Sequence, residues 1–504
     1  MSFLYNNLAV IVLSFSMTIV AWLYGGAMGE YLVPIVPWLL LFILEVMFFF
    51  PQKHEAETIY DARKRVWYDL KRDPLTWLVF SLLGLLIIPF ANNALCVNCD
   101  RALIAAGANP NPPVPFIPFC VNRIEHLNVF FWFAAALLPV LVIKHSLTRS
   151  GKILLLELVV WNGCALALLG FVQKTLGAPG PLWLDSSPSS NAQFFSTFGY
   201  TNMAGDYFTT LFAITVGLWR WKCDGIRKKA REDDSGVSSM KRGYFWKQHY
   251  FLIPAVFFYF AALNTLSRAA IISVTSLALI FFLHTFISFL AKMKRAERVK
   301  KGVLSLGILV FIAFCAHVFM PQNIQNELDT LDADTVLSRV TGKAQYHARV
   351  ATELWKDNFL FGCGGWGYRH FCLQKMTETE LKQLQHIGGI YVHNDHLQFL
   401  AEHGLVGYGI FVVIIMVLVS PVFAIWKKLV SAVRFMKPKD QPPAPVQIFV
   451  IPAPIFCIFA GAVSTLVHAF GDCPLRSSAV LTLFCAMLSC STAFLPKISN
   501  SKGV

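Results

Sequence analysis

From residue 250 to residue 290 the chain runs for 41 residues with one formal charge, Arg268. As helix at 1.5 Å per residue this is about 60 Å, twice the roughly 30 Å hydrocarbon core of a bilayer. It reads as two crossings with a turn at Asn264-Thr265-Leu266-Ser267-Arg268. Comparable runs recur, and together they predict twelve membrane-spanning helices, at about 8–26, 31–50, 75–92, 126–143, 153–173, 204–220, 250–266, 269–291, 303–320, 404–426, 448–469 and 477–495. The composition agrees. The chain is 56% hydrophobic and 14% charged, where soluble domains hold about 45–50% and about 25%. A soluble enzyme, a disordered chain, a nucleic-acid binder and a small disulfide scaffold are all excluded. The expected fold is all-α and polytopic.

The net charge of +14 follows mostly from topology. With twelve spans, the connections 51–74, 144–152, 220–249, 292–302 and 427–447 share one side with the C-terminal tail. They hold 31 of the 43 Lys and Arg. The positive-inside rule then puts both termini in the cytoplasm. No Lys or Arg precedes Lys53, so the first run lacks the basic flank of a signal peptide and reads as a permanent span. The polybasic Arg227-Lys228-Lys229-Ala230-Arg231 reads as a contact for anionic lipid. The opposite side carries 93–125, 174–203 and 321–403. The last, between the ninth and tenth spans, is far longer than a helix connector, and loops of that size are usually functional. The expected organisation is 1–190 with helices 1–5, 191–320 with helices 6–9, a loop domain over 321–403, and 404–504 with helices 10–12. No internal repeat is visible, which argues against a transporter of matched halves.

Ionisable residues near membrane depth are costly and mark candidate sites. Arg268, at the outer turn of its hairpin, is placed to hold a phosphate bidentately or to snorkel to headgroups. His393-Asn394 stands at the outer start of a helix, followed after nine residues by Gly404-Leu405-Val406-Gly407. A neutral His393 there can take a proton from a hydroxyl. It can also be a structural or capping residue, and His393 with His396 has the spacing of a metal pair that lacks a third ligand. Arg349 sits on a helix-like stretch near 341–358, ahead of the Gly-rich turn at 362–367. It reads as an anion contact or a solvated helix face. Asn202, His468 and Asp472 lie where loops meet spans, as supporting groups or boundary residues. Asp332-Ala333-Asp334 has a metal-site spacing in a turn-prone stretch. Six cysteines fall on the outer side: Cys96, Cys99, Cys120, Cys363, Cys372 and Cys473. Spacing allows Cys363–Cys372 and a bridge from Cys120 to Cys96 or Cys99, but cannot choose a pattern.

Together these motifs resemble the O-antigen ligase and polymerase superfamily over about 195–475. Phe198-Gly199-Tyr200-Thr201-Asn202-Met203-Ala204 is similar to the family's Gly-x-x-Asn-x-Ala segment. Leu266-Ser267-Arg268-Ala269-Ala270 is similar to its Ser-Arg-Gly/Ala turn. Arg349 with the Gly-rich turn resembles its large periplasmic loop. His393-Asn394-x9-Gly-x-x-Gly, the most specific match, resembles the ligase signature. The resemblance implies a glycosyltransferase C-like fold in the bacterial inner membrane. It implies transfer of a glycan from undecaprenyl diphosphate to a lipid A core sugar on the periplasmic face. In that reading His393 is the general base, Arg268 and Arg349 bind the diphosphate, and Asn202, Asn394, His468 and Asp472 support them. The reaction would be inverting, with no metal and no cofactor. Polymerisation of lipid-linked repeats, transfer to a protein hydroxyl, and a transporter or flippase are the competing readings.

Overall fold

The computed structural model describes residues 4–92 (without 5 and 28), 114, 117–184, 194–232, 249–291, 325, 343–384, 391–434 and 451–495. The described helices are α1 (Leu8–Trp22), α2 (Gly29–Phe49), α3 (Ile59–Arg72), α4 (Pro74–Ala91), α5 (Arg123–His145), α6 (Arg149–Thr175), α7 (Thr201–Glu232), α8 (Leu252–Asn264) and α9 (Arg268–Ala291). They continue with α10 (Lys343–Asp357), α11 (Gly367–Lys375), α12 (Glu378–Leu384), α13 (Asp395–Arg434), α14 (Ala453–Gly471) and α15 (Ser478–Cys490). Among the described residues, six helices are long and apolar enough to cross a membrane, and four shorter apolar ones accompany them. The chain is a multi-pass helical membrane protein. Eleven of the twelve expected runs lie on described helices. The run 303–320, Asp332-Ala333-Asp334, Cys96 and Cys99 lie outside the described residues, and so do the side chains of the polybasic stretch 227–231.

Helix α15 is buried along its whole length, as expected of a helix that is apolar all round. It packs against α5, α7 and α1. Helix α3 is the opposite kind. Ala62, Val66 and Leu70 face inward, while Tyr60, Lys64, Trp67, Tyr68 and Lys71 form an exposed stripe at helical spacing. Its start is a Thr58–Asp61 capping box. Asp73 caps α4 through the Leu75 amide and pairs with Lys144 and His145 at the end of α5.

The hairpin expected at Arg268 is present. Helix α8 ends at Asn264, Leu266 takes a left-handed φ of 58°, and Ser267 caps α9 by accepting from the Ala270 amide. A Cβ on Gly205 would lie 2.3 Å from that of Ala270, so this turn is seated directly on the first turns of α7.

Helix α10, α11 and the start of α13 enclose a second, smaller core around Val350, Leu354, Tyr368, Phe371 and Val392. It joins the bundle by a backbone splice. α13 breaks at Gly404 (φ 65°, ψ −172°). The carbonyls of Ala401 and Glu402 accept from the amides of Cys363 and Gly364, and the amides of Leu405 and Val406 donate to Phe359 and Leu360. A Cβ on Gly362 would meet the Glu402 carbonyl oxygen at 2.4 Å, and one on Gly404 the Leu360 carbonyl oxygen at 2.3 Å. The Gly-rich turn and Gly404 are two halves of one joint. The Cys363–Cys372 bridge that spacing allows is not formed, since Cys363 is a free buried thiol. Cys120 donates to the Pro89 carbonyl.

Candidate functional site

Asp472, the residue after α14, gathers two distant segments. Its Oδ1 faces His393 Nδ1 at 3.3 Å. The Tyr200 hydroxyl donates to both carboxylate oxygens at 3.0 Å, and Asn202 Nδ2 donates to Tyr200 Oη and to Asp472 Oδ2. The Cys473 amide donates to Oδ1 at 2.7 Å. Burial alone would raise the Asp472 pKa. The hydrogen bond and charge of His393 outweigh it, helped by His468 and the Cys473 amide, and hold the carboxyl below its usual range. Tyr200 is shifted upward by burial and then by the Asp472 charge, which keeps it a donor.

His393 is half-exposed and has a left-handed backbone, φ 52°. Its neighbours leave little freedom. Asn394 accepts from the Leu397 amide and caps α13. The Asp395 amide donates to the Asp472 carbonyl, and Asp395 Oδ2 accepts from the Leu475 amide. The ring of His347, on α10, lies 6.2 Å from that of His393. Burial first, and then His393 itself, pushes the His347 pKa down to about 4, and its Nδ1 pairs with the Tyr368 hydroxyl at 2.7 Å.

Arg349 is two residues further along α10. Its guanidinium donates to Glu353 at 2.8 Å, Glu380 at 2.7 Å and the Lys375 carbonyl at 3.2 Å. Arg268 opens α9, half-buried, on the turn that Gly205 receives. Gly205 is one helical turn past Asn202. Of the expected site residues, His393, Asn202 and Asp472 meet at one node, whereas Arg268 stands on the turn packed against α7 and Arg349 pairs with Glu353 and Glu380. His468 does not face Asp472. Its Nδ1 pairs with Asp206 at 3.1 Å, inside the bundle, where Asp206 also accepts from Thr465.

A buried ionic network lies beside the node. Arg476 donates to Glu402 at 2.7 Å and reaches Asp395 at 3.8 Å. Its guanidinium sits between the rings of Trp132 and Trp366, 5.2 and 5.0 Å from their centroids. Arg476, Glu402 and Asp206 are not among the residues singled out from sequence. The rule that found Arg268 applies to all three, since each is a charge in or beside an apolar run.

Helices packed as a bundle, with a histidine–carboxylate node where three of their connections meet, define a polytopic helical membrane protein. Residues 253–412, about a third of the chain, match the family model described as O-antigen ligase, and this domain match supports the resemblance to the O-antigen ligase superfamily. The matched stretch takes in Arg268, Arg349, His393, Gly404 and Gly407, and leaves Tyr200, Asn202 and Asp472 outside. No curated protein matches the chain.

Proposed function

We propose that the protein transfers a glycan from undecaprenyl diphosphate to a lipid A core sugar. In this reading it is an inner-membrane protein of twelve spans with the site on the periplasmic face. The observation that carries the mechanism is the His393–Asp472 pair, oriented by Tyr200 and Asn202. With Nδ1–H directed at Asp472, the Nε2 lone pair is the free base. It takes the proton of the acceptor hydroxyl as the oxygen attacks the anomeric carbon, and Asp472 stabilises the imidazolium that forms. The glycosyl–phosphate bond breaks on the opposite side of the sugar, so the configuration inverts. Negative charge grows on the departing diphosphate, where Arg268 and Arg349 serve as the clamp. The step needs no divalent metal.

Arg349 must exchange carboxylate partners for phosphate in this scheme. Its pairs are partly exposed, and exposed pairs are worth only about 0.2–1 kcal/mol. A diphosphate offering bidentate, charge-assisted bonds can displace them.

The test is transfer by purified protein from undecaprenyl-diphosphate glycan to lipid A core, in EDTA, with His393→Asn, Arg268→Ala and Arg349→Ala alongside. Product from the parent and none from the variants is expected. Elongation of the donor without lipid A core product would make the protein a polymerase instead, and full activity of His393→Asn would remove the assigned base.

A further inference from the structure

The node holds a third kind of donor that the transfer chemistry does not use. Cys473 Sγ lies 3.3 Å from Asp472 Oδ1, the same separation as His393 Nδ1 from that oxygen. The three atoms all lie within 4.8 Å of one another. Zinc bound tetrahedrally by N, O and S at about 2.0–2.3 Å has ligand–ligand edges of about 3.3–3.6 Å. Two of the three edges are therefore close to the required length before any ion arrives. Oδ2 of Asp472 is held by Tyr200 and Asn202, the outer support that fixes a metal-binding carboxylate. Cys473 is buried and His393 half-exposed, so the approach and the vacant fourth position both lie on the histidine side.

We propose that His393, Asp472 and Cys473 form a Zn2+ site, and that the bound ion silences the base. The second half rests on the function proposed above. Zn2+ accepts the Nδ1 lone pair, one carboxylate oxygen and the sulfur. The thiol proton leaves to solvent, and the imidazole proton shifts from Nδ1 to Nε2. No ring lone pair then remains for the acceptor hydroxyl.

The experiment is calorimetric titration of the full-length, tag-free protein in detergent with Zn2+, followed by Co2+ loading and absorption spectroscopy. One ion per chain and a thiolate-to-Co2+ charge-transfer band are expected. Cys473→Ser, close to isosteric and able to keep the bond to Asp472, should lose the band and weaken Zn2+ binding by about 10–100-fold or more. Absence of stoichiometric binding, or unchanged binding in both Cys473→Ser and His393→Asn, overturns the site and leaves the base assignment untouched. In the transfer assay, Zn2+ should inhibit with the same midpoint as binding, and EDTA should restore activity. Zinc bound at one equivalent with transfer continuing would keep the site but overturn both the silencing and the role of His393.

Discussion

His393 holds a left-handed backbone at the node, with φ 52°. Such a backbone costs an ordinary L-residue about 1–2 kcal/mol, so the surrounding contacts must over-determine it. This makes asparagine the informative replacement at 393, because it tolerates the conformation. His393→Asn should keep the parent melting temperature within a few degrees, while transfer falls about 10²–10⁴-fold, the usual share of a general base. Arg349 allows a second test. Glu380→Gln removes one of its carboxylates, and steady-state kinetics should show a lower donor KM with kcat little changed. An unchanged KM would mean that Arg349 serves the loop. Asn202 and Asp472 were legible because each is polar and stands close to where an apolar run begins or ends, and His393 because it opens a recognisable motif. The role of the Tyr200 hydroxyl was not, although the residue sits in a quoted motif. Its partner is 272 positions away, and no local pattern encodes that.

Most helix boundaries agree with the apolar runs to within a few residues, because exposure to lipid allows little besides helix there, while α7 continues to Glu232, past its expected end near 220. The exceptions are informative. The tenth run was expected to begin at 404, and α13 does break there, yet it starts at Asp395. Hydropathy alone cannot show the polar turns before the break. The splice itself predicts a large effect. Gly404→Ala and Gly362→Ala each add a Cβ against a carbonyl at a positive φ. Each should destabilise the loop attachment by about 2–4 kcal/mol, seen as faster hydrogen exchange in α10 and α11. The double variant should lose less than the sum, since both break one joint. The junction of α3, α4 and α5 predicts a pH response. Burial raises the Asp73 pKa, but hydrogen bonds from His145 and Lys144 dominate and bring it down to about 2. A carboxyl lowered on folding contributes stability above its unfolded value near 3.8, and that contribution fades as pH falls toward 2. Melting curves between pH 5 and pH 2.5 should show this loss in the parent and a flatter slope in Asp73→Asn.

At the scale of the whole molecule, a buried cation adds to the backbone splice in tying the bundle to the loop core. Arg476 leaves the bundle side, meets Glu402 on the loop side of the Gly404 break, and packs between Trp132 of α5 and Trp366 of the Gly-rich turn. Removing one partner of such a pair costs about 3–5 kcal/mol, whereas removing both often costs little. Glu402→Gln should therefore destabilise the purified protein strongly, and Arg476→Met combined with it should recover much of the loss in thermal melts. Charge counting could suggest which loops share a side, but this tie depends on residues 74 positions apart, beyond the reach of periodicity.

The backbone splice has one further consequence. Residues 363 and 401 are hydrogen-bonded neighbours, so the chain between them is a closed lobe whose two ends enter and leave at a single point. Changes of length in the part of that lobe ahead of His393 need not move the membrane helices or the carboxylate that pairs with His393. In the function proposed above, lineages sharing this joint can remodel the surface that meets an incoming acceptor while keeping His393 and Asp472 together, as a tool takes a new head on an old handle.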